Sequence, residues 1–191
     1  MGALEKIYSI IMLSMAIGVL VCALVASGAA WFSDCFGTVC VASTLSQFQC
    51  IGFDDVACPF FWVDPPVGSF AGIAIGGAIS LIALIIIMLI EVIAAVGHAM
   101  RLFGKTLPLA FLKSIANWNF VAVGPLALLA VLSFPIAFGV DEGIEAGSLK
   151  QTATTGVGVT VLIIIISVVN MLVRFIPIAK TKLRYDNAML S

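Results

Sequence analysis

The residues that could do chemistry are few and fall in two places. The first is a set of polar side chains inside long apolar stretches. Glu91 is the one carboxylate within such a stretch, midway along ALIIIMLIEVIAAVGH. Counted back from His98 at about 1.5 Å per residue, it lies about 10 Å inside that end. Lys113 enters the next apolar stretch from the same side, about 9 Å in if a helix begins near Leu107. Asn117 follows one helical turn later, Asn119 lies a little deeper, and Asn170 enters a further stretch from the same side. Glu91, Lys113, Asn117 and Asn170 can therefore form one polar layer. An ionisable group at membrane depth points to function by default, here an ion or proton path. The same groups can also pair across helices and hold a bundle together, at roughly 0.6–2 kcal/mol per bond. The structural use is favoured, because a transporter also needs polar groups near the midplane.

The second place is a run of cysteines. Cys35, Cys40, Cys50 and Cys58 lie within one polar loop, and the fifth, Cys22, sits in an apolar stretch as a small packing residue. An even set in a loop exposed to an oxidising compartment reads as two disulfides, with three pairings possible. Zinc is disfavoured, since the loop has no His and no C-x-x-C spacing. In TVCVASTLSQFQCIGF the β-branched and aromatic residues partly alternate. A turn at residues 45–47 would set Cys40 opposite Cys50 on an antiparallel pair, leaving Cys35 to join Cys58. Other chemistry is not visible. No catalytic constellation, phosphate loop or metal motif occurs, and the reading is of a protein that is not an enzyme and needs no cofactor.

The elements that must position these residues are membrane helices. Of 191 residues, 62% are apolar and 10% charged, and the mean hydropathy is +1.23. A soluble domain of this size carries about a quarter charged residues. Nine Lys and Arg against ten Asp and Glu leave no basic excess for nucleic acid. Four stretches reach the roughly 20 apolar residues that a bilayer crossing needs. They are residues 7–30, 67–98, 107–138 and 154–178, joined by loops 31–66, 99–106 and 139–153, with a tail at 179–191. The first is too long for a signal-peptide core. Every Lys and Arg but Lys150 falls on one side of this arrangement, and the acidic loop residues fall on the other. The basic side is the cytoplasmic side, so both termini are inside and the long first loop is outside. The fold class is an all-α, four-transmembrane-helix bundle with a small disulfide-stapled extracellular β-element in that loop.

Packing signals follow the same frame. Ser14, Gly18, Cys22 and Ala26 recur every fourth residue in the first span, as do Gly68, Gly72, Gly76 and Ser80 in the second. Such ladders let helix backbones approach closely, and the two are expected to face each other, a homo-oligomer contact being the alternative. Pro125 and Pro135 are expected to bend the third span.

Four spans, inside termini, a large first outer loop, Trp31 at the exit of the first span and the C-x9-C stretch CVASTLSQFQC resemble the claudin and peripheral-myelin-protein superfamily. The fungal Sur7-type four-span proteins share this general plan. The Gly-Leu-Trp that precedes the first hairpin cysteine in claudins is absent, and Cys35 and Cys58 are additional. The resemblance implies a sheet set on a helical bundle, and a non-enzymatic role at the plasma membrane in cell contact, barrier formation or support of a larger membrane protein. Its partners would be the lipid bilayer and another membrane protein or a second copy of itself. Trp31 and the aromatic run Phe60, Phe61 and Trp62 are the candidates for partner contact, the run being favoured as an interface anchor in the headgroup region. The competing function is a small channel or transporter built on the layer around Glu91.

Overall fold

A computed structural model describes residues 3–36, 39–45, 48–51, 71–105, 107–141, 152–153 and 155–175. Four helices carry the chain: α1 (Ala3–Gly28), α2 (Ala71–Leu102), α3 (Ala110–Asp141) and α4 (Thr155–Phe175). All four are long and apolar enough to cross a bilayer. Each packs on two neighbours, in the ring order α1–α2–α3–α4, and the contact of α2 with α3 is the most extensive.

The distribution of side-chain size follows from the solvent. In lipid there is no hydrophobic drive between helices, so close backbone approach decides what goes inside. Ala23, Ala26, Ala83, Ala127 and Ala130 are buried in the main core, while Ile10, Val21, Leu24, Ile82, Leu89 and Ile165 face outward. The two small-residue ladders follow this rule in part. Ser14 is exposed. A side chain added at Gly18 would meet Ile166 of α4 at 3.9 Å. Ser80 lies with its hydroxyl 2.8 Å from the Ala130 carbonyl of α3 and 3.0 Å from that of Gly76 in its own helix. Helices α1 and α2 do pack on each other, while Gly18 of the α1 ladder lies nearest α4 and Ser80 of the α2 ladder bonds to α3. Ala26 is buried and Cys22 half-buried against the core. Gly76 is buried and Gly72 lies in the first turn of α2, while Gly68 is outside the described residues.

The ends of α2 and α3 also differ from the sequence reading. Helix α2 runs four residues past His98 and stops at Gly104, whose φ is 71°. Gly104 N–H donates to the Arg101 carbonyl and Lys105 N–H to that of Met100, a Schellman closure of the helix end. Helix α3 continues through Pro125 and Pro135, and its non-helical residue is Trp118, with φ −112° and ψ 16°. Membrane helices tolerate proline where neighbours compensate; separately, Ser167 of α4 donates to the Phe120 carbonyl, five residues ahead of Pro125, at 3.2 Å.

Four short strands lie at one end of the bundle. They are β1 (Phe32–Phe36), β2 (Val39–Ser43), β3 (Phe48–Ile51) and β4 (Thr152–Ala153), in one antiparallel sheet of order β3-β2-β1-β4. The sheet thus draws on both connections at that end. The register sets Cys50 opposite Val41, and Cys40 opposite Ile51 on one side and Cys35 on the other. Cys40 and Cys50 are therefore one position out of the direct pairing expected from the sequence. Bonding by these cysteine side chains, and the whole of Cys58, lie outside the described residues.

Among the described residues, Leu45 and Trp31 join sheet to bundle. Leu45, in the turn after β2, is fully buried in the main core. Trp31, between α1 and β1, is 0% exposed, and its Nε1 donates to the Ala26 carbonyl at 2.8 Å. Gly156 lies under the indole and donates its N–H to the Ala30 carbonyl at 2.8 Å. A Cβ on Gly156 would collide with the Trp31 ring, so only glycine allows α4 to start there. Gly156→Ala should destabilise the protein by roughly 1–3 kcal/mol, as overpacked sites do. Gly158→Ala, where the added carbon meets nothing within 4 Å, should leave stability unchanged or slightly raised. Thermal unfolding in detergent checks the pair, and equal midpoints would refute the contact.

Candidate functional site

At the end away from the sheet, the polar side chains gather as a layer, with membership different from the one read in sequence. Glu91 on α2 is 1% exposed, and both its carboxylate oxygens accept from Asn119 Nδ2 at 3.0 Å. Asn119 is held by α3 just past its non-helical residue. Asn119 Oδ1 accepts in turn from Arg174 Nη2 at 3.5 Å. Arg174, in the last turn of α4, is the cation of the layer. Its Nε donates to Asn170 Oδ1 at 3.0 Å, one helical turn back. Its Nη1 donates to Asn117 Oδ1 at 2.9 Å and also to the Asn117 backbone carbonyl. The guanidinium carbon stands 4.9 Å from the Phe120 ring centroid, and Phe120 tilts against Trp118 at 5.8 Å.

The local sequence explains the geometry. A helix interrupted at Trp118 offers its Asn117 carbonyl sideways, where a partner outside the helix is needed. Arg174 supplies it with a rigid fork of donors that lysine lacks. Four oxygens on two helices converge on one guanidinium, and Asn119 relays it to the Glu91 carboxylate. These side chains link α2, α3 and α4 in one chain of contacts.

Of the residues proposed from sequence, Glu91, Asn117 and Asn170 belong to this layer. Lys113 does not: it is half-buried one turn before Asn117, and Glu91 takes its bonds from Asn119 instead. Asn119 is six residues beyond Lys113 and so faces a different way round the helix. Arg174 was counted in sequence only among the basic flanking residues. The signal that could have placed it is Asn170–Arg174, an i, i+4 pair on one helix face. His98, read as interfacial, is fully buried. Trp31, read as a partner contact, is an internal residue because its ring fills the gap over Gly156. Phe60, Phe61 and Trp62 lie outside the described residues. Among the described residues, no group of three or more His, Cys, Asp or Glu could hold a metal ion.

In comparison with known proteins, no family model matches the chain and no curated protein matches it.

The layer acts as a strut between helices. Removing one member of a buried charged set costs roughly 3–5 kcal/mol, because the opposite charge is left without its partner. Arg174→Leu should therefore destabilise strongly. Adding Glu91→Gln to it should recover part of the loss, giving a coupling free energy of about 1 kcal/mol or more. A double-mutant cycle on thermal or denaturant unfolding in detergent measures this, and strictly additive changes would refute the relay through Asn119.

Proposed function

We propose that this chain is a non-enzymatic, claudin-like four-span protein of the plasma membrane, with both termini cytoplasmic, which organises membrane contacts through its sheet end. The observation that carries the reading is the pairing of β1 with β4 over the Trp31–Gly156 contact. It makes one platform out of two separate connections and fixes it to the start of α4. A platform so fixed presents a defined surface to a partner, and little ordering is then lost on binding. The sequence supports the orientation, since basic residues flank the opposite end and acidic residues populate the sheet-end connections. Two disulfides among Cys35, Cys40, Cys50 and Cys58 belong to this reading, and they would stiffen the platform further. The work of the platform is adhesion between cells, a barrier, or support of a larger membrane protein.

The channel reading is less well supported. The layer around Glu91 is occupied by its own groups, with the Arg174 guanidinium where a mobile cation would have to sit.

The test mixes cells that express a fluorescently tagged chain with cells that do not. Enrichment is expected where two expressing cells touch, and nowhere else. Cys40→Ser with Cys50→Ser should abolish that enrichment while the spans still insert. Uniform signal along all boundaries would count against self-adhesion, and native co-purification would then ask for a larger membrane partner. Failure of both assays would remove the proposal.

A further inference from the structure

The outward face of α3 carries polar groups that the bundle does not use. Pro125 is exposed near the middle of the span Ala110–Ser133. Proline has no N–H, so the Val121 carbonyl one turn back loses the donor that a regular helix would supply. Val121 is 55% exposed. Ser167 of α4 reaches the Phe120 carbonyl, but among the described residues no side chain donates to that of Val121. Trp118, 53% exposed, stands three residues earlier on the same helix. Its ring packs on Phe120, and among the described residues its Nε1 donates no hydrogen bond. Counted from Ala110, Trp118 lies about 12 Å and Val121 about 16 Å along the helix. Both are deeper than the headgroup level at which membrane tryptophans are enriched. Leu128 and Leu132 continue the exposed face beyond Pro125.

A donor without an acceptor and an acceptor without its usual donor thus lie on one lipid-facing surface. Hydrocarbon satisfies neither, and α2 and α4 pack on the other sides of α3. We propose that this face is the contact between two copies of the chain lying side by side in one membrane. Each Trp118 Nε1 donates to the Val121 carbonyl of the second copy, and Leu128 and Leu132 pack against their counterparts. Complementarity selects the occupant. A lipid chain offers neither donor nor acceptor, whereas a second copy offers both. Copies inserted in the same orientation meet about a twofold axis along the membrane normal, so each bond occurs twice and equivalent groups lie at equal depth. The Trp118 and Val121 levels differ by about 4.5 Å, an offset that the length of an indole spans. Interhelical hydrogen bonds of this kind are what hold membrane helices together where burial of apolar surface gains nothing. The contact lies within one membrane and does not rest on what the sheet end binds.

The full-length protein, labelled with donor or acceptor fluorophores and reconstituted in phosphatidylcholine vesicles, tests this. Energy transfer between copies should rise and saturate as the protein-to-lipid ratio increases at a fixed acceptor fraction. Trp118→Phe keeps a ring against Phe120 and removes the N–H. It should weaken association roughly tenfold, the loss of two symmetric bonds at about threefold each. Pro125→Ala returns a backbone donor to the Val121 carbonyl within its own helix. It should weaken association by a similar factor, with an equal or higher thermal midpoint in detergent, so that misfolding is not the cause. The two changes together should cost no more than either alone, because they remove the same bonds. Leu89→Ala, on the outward face of α2, should leave association unchanged. Chains that stay monomeric at every ratio would overturn the contact, lipid or another membrane protein then covering α3. So would association that survives both variants, losses that simply add, or an equal loss in Leu89→Ala.

Discussion

A carboxylate buried at membrane depth has to be answered by protein groups, and Glu91 sets that demand for the whole bundle. Water would normally share the work of solvating it, and hydrocarbon cannot. The answer here is indirect. Asn119 donates to both carboxylate oxygens and passes its own oxygen to Arg174, which is anchored on Asn117 and Asn170. An amide serves this place well, because it donates at one end and accepts at the other. The arrangement requires α3 to present two asparagines, at 117 and 119, to the same neighbourhood. A regular helix turns about 200° between such positions. The non-helical φ and ψ at Trp118, the residue between them, bring both into the layer. The break in the helix and the bonding of the buried layer thus fall at the same place on α3.

The other end of the bundle is governed by shape. Trp31 fills the space over Gly156, and the small side chains of the core allow α1, α2, α3 and α4 to close beneath it. Little there depends on charge. The indole donates a hydrogen bond to the Ala26 carbonyl near the end of α1 and packs over Gly156. Because Gly156 N–H also meets the Ala30 carbonyl, the start of α4 is tied to the exit of α1, and β4 is delivered alongside β1. The sheet therefore extends the helix packing at the α1–α4 contact.

What the sequence made legible follows from the length scale of each signal. The four apolar helices were readable because each repeats one message over about 20 residues. The presence of a polar layer was readable too, since Glu91, Asn117 and Asn170 stand out against apolar surroundings. Its wiring was not. Helical periodicity put Lys113 and Asn117 on one face, but the interruption at Trp118 cancels that periodicity for the residues beyond it. Arg174 looked like one more basic residue at a helix end, and only the tertiary approach of α3 and α4 gives it a buried role. The two ladders were read as partners because they share a spacing, yet spacing says that a backbone can come close and does not say to which neighbour. Trp31 was singled out for its position, and its burial depends on a glycine 125 positions away, which no local pattern reports.

The two ends of the bundle are held together by different means. At the sheet end the fixed elements are backbone pairing and an indole in a glycine notch, neither of which changes with the lipid. At the basic end the buried layer is sealed by protein, but Phe120, which carries the Arg174 guanidinium on its ring, also touches Trp118. Trp118 is 53% exposed on the lipid-facing side of the same helix. A molecule lying against Trp118 is therefore two side chains away from the cation that holds α3 to α4. The outward surface and the buried layer meet at one residue, the one whose backbone departs from the helix.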